Sequence, residues 1–286
     1  MPLYRLSENC RSHFEEYTMT YHRAEHLDDA MMLIHKHPDF VLLCGSTDVA
    51  VQLKKPKTVN GLIDISALTE LQSIKITSER MHIGALTTIT DILESVAVRT
   101  HLPLLIAAAE VFASHQIRNL ATLGGNIANA SPAADLTAVL LVLNATLTLG
   151  SREGQREIDL EELFCGYKCT KLDHEMILGI TIPLQEHQWY YRKAGARERL
   201  NIAKVSLAVV KNNKGYSISG ASLNPYAVRF RHVENLLNSG DVSDEKIREA
   251  LEQDIAPSGS LRSTKAYRMR VAFNMIKEAL SGFTSS

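Results

Sequence analysis

Apolar positions along the chain recur at two spacings, and their alternation predicts a succession of short strands and helices. Leu27, Ala30, Met31 and Ile34 share one helical face, and Pro38 follows as a stop signal. "FVLLCG" (40–45) is uniformly apolar and ends in Gly, which predicts a buried strand that leaves through the polar turn of "STDVAVQLKK". "LIDIS" (62–66), "SIKI" (73–76) and "MHIGA" (81–85) are further strands, while "TITDILESV" and "LPLLIAAAEVFAS" read as helices. Leu136, Val139, Leu140 and Leu143 then fall at i, i+3, i+4 and i+7, "ATLTLG" alternates as a strand does, and Pro183 closes a strand over 175–183.

The pattern changes beyond a linker at 184–190. "AKVSLAVV" and "GYSISGASL" flank "KNNKG" as an antiparallel hairpin, and three helical stretches follow, around "RHVENLL", "SDEKIREALEQDI" and "TKAYRMRVAFNMIKEAL". The expected fold class is α+β. An N-terminal extension (1–20) precedes a domain of two α/β lobes (21–183, divided as 21–70 and 71–183). A smaller C-terminal α+β domain (191–286) carries an antiparallel sheet plus helices. A chain of 286 residues suits two units of the usual ~100–200 residues each.

Composition narrows the function classes. A formal net charge of −1 gives no electrostatic case for nucleic acid or an anionic membrane surface. The opening residues lack an apolar leader stretch, and "LPLLIAAAEVFA" is far shorter than the ~20 residues of a membrane span, so a soluble, cytoplasmic protein is expected. Cys10, Cys44, Cys165 and Cys169 are then read as reduced thiols, and a single C-x3-C pair is no metal site.

The chemistry concentrates in "ATLGGNIANASPAADLTAVLLVLNA" (121–145). Gly124-Gly125 lets backbone N–H groups approach a ligand, and Ser131-Pro132 fits an N-cap with Pro at the first helical position. A Gly-rich turn beside a helix start favours an anion, most often phosphate, although a lone Gly-Gly is commonly just a turn. Neither G-x-G-x-x-G nor G-x-x-x-x-G-K-S/T occurs. A second small polar turn, Gly45-Ser46-Thr47-Asp48, also follows a strand, and two such turns could grip a diphosphate between them.

These strings resemble a known family. "LLCGSTDVAVQL" is similar to one signature turn, and "QIRNLATLGGNIANASPAADLTAVLL" to the other, of the FAD-binding (medium) subunits of molybdenum hydroxylases, the xanthine dehydrogenase and carbon monoxide dehydrogenase group. The resemblance runs from about Tyr21 to the C-terminus, through "LIDIS", "IGALTT" and "RSTKAYR", and leans toward the xanthine dehydrogenase subunits. It implies a PCMH-type FAD-binding domain with the flavin held non-covalently between its lobes, followed by a C-terminal domain like that of the carbon monoxide dehydrogenase flavoprotein.

Carried residue by residue, the resemblance places Val41, Leu42, Leu43, Cys44, Gly45, Ser46, Thr47 and Asp48 along the diphosphate and ribityl. Thr122, Leu123, Gly124, Gly125 and Asn126 face them from the other lobe, with the Thr122 hydroxyl on phosphate. Asn129 and Asp135 are expected at the adenosine or ribityl end, Phe112 and Ile177 against the cofactor, and Lys193 beside the flavin ring, where its charge would stabilise the reduced anion. Cys44 and Ser46 depart from the usual Ala and Gly, and Leu200-Asn201 replaces an acidic pair. No catalytic side chain and no metal ligand is expected.

The implied function is electron transfer, from 2Fe–2S clusters on an iron–sulfur partner, through FAD, to NAD. Hydroxylation of a purine-type substrate would take place at molybdopterin on a third subunit, in a heterotrimer or its dimer. A self-contained flavin oxidase or reductase of the same wider fold, and a non-catalytic assembly subunit, are the competing readings. His22-Arg-Ala-Glu-His26 matches an inverted zinc-protease string but precedes the first helix, so a helix-cap and surface role is expected instead. Asn144-Ala-Thr146 is a glycosylation sequon without a secretory route.

Overall fold

The computed structural model describes residues 19–54, 59–197, 202–240, 242–261 and 263–284, and among them three larger sheets and one two-stranded hairpin organise the fold. The first is parallel. Strand β1 (Thr20–Arg23) leads through α1 (Leu27–Lys36) to β2 (Val41–Leu43), and a short α2 (Val49–Gln52) precedes β3 (Gly61–Asp64), giving the order β1-β3-β2. His26 stands at the N-cap of α1 and its N–H donates to Asp29, so the second histidine of the H-x-x-E-H string caps a helix. The first, His22, stacks on His37 and Phe40. Buried Ala30, Met31 and Ile34 pack α1 on Ile63, Ile65 and Leu68, joined by Met176 and Leu178 from a later strand. β2 is only half-buried, although its sequence is all apolar. Part of the expected polar turn over 46–55 is helical instead.

The second sheet is antiparallel, in the order β4-β5-β10-β6-β7. It begins with β4 (Ile74–Ile76) and β5 (Arg80–Gly84). Helices α3 (Ile89–Glu94), α4 (Val96–His101), α5 (Pro103–Glu110), α6 (His115–Arg118), α7 (Leu123–Ala128) and α8 (Asp135–Val142) follow. The chain then adds β6 (Thr146–Ser151), β7 (Gly154–Asp159), a small hairpin of β8 (Phe164–Gly166) and β9 (Cys169–Thr170), and β10 (Met176–Pro183). Every residue of α8 is buried, which is why its apolar pattern runs on all faces rather than one. α8 starts at Asp135 after an Ala134 N-cap. The Ser131-Pro132 start expected from sequence is corrected, because the Ser131 hydroxyl accepts instead from the Ala133 N–H and closes a turn ahead of the helix.

The third sheet contains β11 (Gln188–Ala194), β12 (Val205–Asn212), β13 (Gly215–Ala221) and β14 (Val228–Arg229), backed by α9 (Arg231–Ser239), α10 (Asp244–Asp254) and α11 (Lys265–Thr284). β11 occupies the end of the segment expected to be a linker, and its pairing with β12 runs from Gln188↔Lys211 to Ala194↔Val205. The buried Arg229 guanidinium bonds Glu234 at 2.6 Å and donates to the Leu141 carbonyl and Asn144 side chain, tying this sheet to the end of α8.

Cys165 and Cys169 form a disulfide across the β8–β9 turn, so the reading of both as free thiols is corrected. Their shared hairpin brings the two side chains together, a proximity that spacing alone did not reveal. Cys44 is a free thiol. Among the described residues, no helix is long and apolar enough to cross a membrane.

Candidate functional site

Two turns meet between the first and second sheets. The chain leaving β2 runs through Cys44, Gly45, Ser46, Thr47 and Asp48 into α2, and Ser46 sits in the left-handed region at φ 57. A residue without glycine's freedom costs roughly 1–2 kcal/mol there, offset here in part by the Ser46 hydroxyl, which donates to the Cys44 carbonyl at 3.0 Å. The N–H groups of Gly45, Ser46, Thr47 and Asp48 have no acceptor among the described residues. Consecutive unengaged amides around a left-handed residue make a concave anion-binding nest. Residues 41–49 are all half-exposed, so this strand end and turn form an open wall rather than a packed one.

The opposing strip is built differently. Thr122 caps α7, accepting from the Gly125 N–H at 3.1 Å. The N–H groups of Leu123, Gly124 and Asn126 bond the carbonyls of Thr87, Ala85 and Thr122. The expectation that 122–126 offers free backbone amides is therefore revised: its early amides are engaged within the chain, because the Gly-Gly pair lies in a short helix and not in an open turn. The two glycines also differ. A Cβ on Gly124 would meet the Ala85 backbone, its carbonyl oxygen at 2.8 Å, so it packs the helix, whereas Gly125 is exposed and a Cβ there would press on the Thr122 hydroxyl at 2.8 Å, with the Cys44 sulfur at 3.9 Å. Gly45 is the point of closest approach, since a Cβ there would lie 1.6 Å from the Leu120 carbonyl oxygen. Cys44 Sγ and Thr122 Oγ1 are 3.4 Å apart, which joins the two turns through side chains as well.

Asp135 and Lys193 come together from distant parts of the chain. Lys193 Nζ, on β11, lies 2.6 Å from Asp135 Oδ2 at the start of α8 and 3.1 Å from the Val111 carbonyl oxygen, beside Phe112. The side chains are 7% and 4% exposed, which excludes a solvated surface role for Lys193. Tyr191 lies beside Asp135 and Ser206. Burial, and then the Asp135 charge, pushes its hydroxyl well above the usual phenol range and keeps it a neutral donor. On α7, Asn126 Oδ1 is buried with no hydrogen-bond partner among the described residues, whereas Asp135 Oδ1, Tyr191 OH and Ser206 Oγ are buried beside one another without well-aligned hydrogen bonds. Orphaned polar atoms of this kind are rare in folded chains and suit the hydroxyls of a polyol-bearing ligand or ordered water.

Other expected residues sit as follows. Asn129 is at the C-cap of α7, and its side-chain oxygen accepts from Lys168 Nζ at 3.4 Å; the same ammonium lies 3.3 Å from Asp48. Phe112 is half-buried against the core of the second sheet, its carbonyl held by Arg118 at 2.8 Å. Ile177 is 5% exposed and packed in that core by the chain itself, at the register shift between β10 and β6. The Leu200-Asn201 pair lies outside the described residues. Lys168, Tyr191 and Ser206 were not singled out from sequence. A tyrosine and a serine in alternating strands carry no local signal, and Lys168 acts through a hairpin that the pattern did not resolve.

Small residues at a strand end and a nest of unengaged amides facing a capped helix are features that suit the diphosphate of a nucleotide cofactor. Residues 14–185 match the family described as FAD binding domain in molybdopterin dehydrogenase, and 189–282 match the CO dehydrogenase flavoprotein C-terminal domain. The chain belongs to this family, the FAD-binding subunits of molybdenum hydroxylases. It is 31% identical over 276 residues to the xanthine dehydrogenase FAD-binding subunit of Escherichia coli O157:H7, covering 92% of this chain and 94% of that one. It is 30% identical over 263 residues to the glyceraldehyde dehydrogenase medium chain of Sulfolobus acidocaldarius, covering 88% and 93%. Among solved structures, a carbon monoxide dehydrogenase from Hydrogenophaga pseudoflava superposes with a TM-score of 0.85 at 28% identity, over 92% of this chain and 96% of that one. The two-lobed FAD-binding domain with a following C-terminal domain is thus the fold of this chain, and the chain is an oxidoreductase subunit.

Proposed function

We propose that the chain binds FAD non-covalently between the 44–48 turn and α7 and relays electrons from 2Fe–2S clusters of an iron–sulfur partner to NAD. Substrate hydroxylation then belongs to a molybdopterin-bearing partner in a heterotrimer or its dimer. The similarity to a xanthine dehydrogenase subunit supports a purine as that partner's substrate. The observation that carries the reading is the set of four unengaged amides over Gly45–Asp48, a fit to a diphosphate.

Bound FAD supplies the exchange between one-electron and two-electron transfer. The chain's own residues bind and orient it. The nest amides donate to the diphosphate, and exposed Gly125 leaves room for it. Asn126, Asp135 and Tyr191 would offer buried polar atoms to the ribityl, and Phe112 would pack against the cofactor. Lys193 reaches that region neutralised by Asp135, so the field at a nearby ring comes from an ion pair rather than a free cation. Neither turn holds a histidine, and Cys44 Sγ is engaged with Thr122, which supports a non-covalent attachment.

The purified chain, loaded with FAD, tests this directly. Acid precipitation should leave the flavin in the supernatant. The chain alone should oxidise NADH with an artificial acceptor and hydroxylate no purine. Flavin in the pellet would overturn the non-covalent reading, and purine hydroxylation by the isolated chain would overturn the division of labour.

A further inference from the structure

The β8–β9 hairpin holds a charge at the mouth of the cleft, and its disulfide makes that hold redox-sensitive. Cys165 and Cys169 close a ring around Gly166, Tyr167 and Lys168, and both cysteines are exposed to solvent. Lys168 sits within this ring at φ 49, a left-handed conformation that a lysine in an open chain leaves readily. Its ammonium reaches both walls at once, 3.3 Å from Asp48 beside the amide nest and 3.4 Å from Asn129 at the end of α7. Without it, Asp48 would place an uncompensated carboxylate next to the site for a dianionic diphosphate, with the Gln52 side chain at 2.8 Å as its other side-chain partner among the described residues.

We propose that Lys168 is a latch across the cofactor cleft, and that the Cys165–Cys169 bond sets whether it is closed. The inference rests on the FAD reading of this cleft. In the oxidised hairpin the lysine bridges the two walls and screens Asp48. A dithiol opens the ring by exchange: its thiolate attacks one sulfur, the S–S bond breaks, and a second thiolate releases two cysteine thiols and the oxidised reagent. A low-molecular-weight disulfide reverses the step with the same balance. In the reduced hairpin Lys168 relaxes from the left-handed region and FAD leaves more easily.

The FAD-loaded chain is oxidised with a small disulfide or reduced with a phosphine, which becomes phosphine oxide as water supplies its oxygen and the thiol protons. Peptide mass over 165–169 reports the state of the bond. FAD release after dilution, followed by flavin fluorescence, should be about threefold to fivefold faster from the reduced chain, as suits a partly exposed ion pair. Lys168→Ala should release FAD at the fast rate in both states, as should the double variant Cys165→Ser/Cys169→Ser. Equal release from oxidised and reduced wild type sinks the latch alone, as does a Lys168→Ala variant that still responds to reduction, or a pair that never joins. A chain that takes up no FAD in either state sinks the cofactor reading and the latch with it.

Discussion

Lys193 and Asp135 lie 58 residues apart in sequence, yet an ammonium hydrogen of one points at a carboxylate oxygen of the other across 2.6 Å, inside the protein. The pair joins the first turn of α8 to β11, and so the second sheet's helices to the third sheet. Removing one member of such a buried pair leaves an uncompensated charge and costs ~3–5 kcal/mol. Lys193→Met should therefore lower the urea midpoint markedly, and a second change, Asp135→Leu, should recover most of the loss. Identical midpoints for Lys193→Met and wild type would show that the pair contributes nothing to the fold.

The glycines of the second strip should separate by position. Gly124→Ala forces a methyl against the Ala85 backbone and should cost ~1–3 kcal/mol of stability as overpacking does. Gly125→Asp presses on the Thr122 hydroxyl at 2.8 Å and otherwise meets only the Cys44 sulfur at 3.9 Å, so it should loosen the cap of α7 while the rest of the fold survives. It adds negative charge opposite the amide nest, so FAD should be lost. Circular dichroism and flavin stoichiometry distinguish the two, and a folded Gly125→Asp chain that keeps its FAD would make the strip a structural turn only.

Ser46 gives an independent probe of the nest. Its φ of 57 costs glycine nothing, so Ser46→Gly should keep FAD stoichiometry. A β-branched side chain is strained there, and Ser46→Val should disturb the amides and release the cofactor. Equal FAD content in both variants would argue that these amides do not carry the diphosphate.

Much of this arrangement was legible because local chemistry and tertiary role coincide. The helical face of Leu27, Ala30, Met31 and Ile34, the hairpin around "KNNKG" and the turn over Gly45–Asp48 each announce themselves within a dozen residues. What stayed hidden depends on partners far along the chain. The half-exposure of the apolar strand Val41–Leu43 follows from its place at a sheet edge beside the cleft. The engagement of the Leu123 and Gly124 amides depends on Thr87 and Ala85, some 36 to 39 residues earlier. Short strands such as β8 and β9 carry too few residues for a periodic signal, so the Cys165–Cys169 pairing and Lys168 were missed.

The ion pair of Glu175 and Arg156 should give the fold a measurable acid dependence. Arg156 donates two bonds to the Glu175 carboxylate, at 2.6 and 2.8 Å, joining β7 to the residue that precedes β10. These bonds hold the Glu175 carboxyl below its usual range, against an opposing effect of burial. A carboxyl with a depressed folded pKa binds protons more readily once unfolded, so its contribution is fully present above the unfolded value near ~4.3 and is lost as pH falls through the folded one. Arg156 is exposed, so solvent screens the pair and keeps its contribution small. Glu175→Gln should therefore melt below wild type at pH 7, and the gap should close as the pH is taken below ~4. Melts at several pH values check this, with salt held constant to fix screening. A gap that stays the same width down to the acid limit would mean that the loss reflects packing of the glutamine and not the charge.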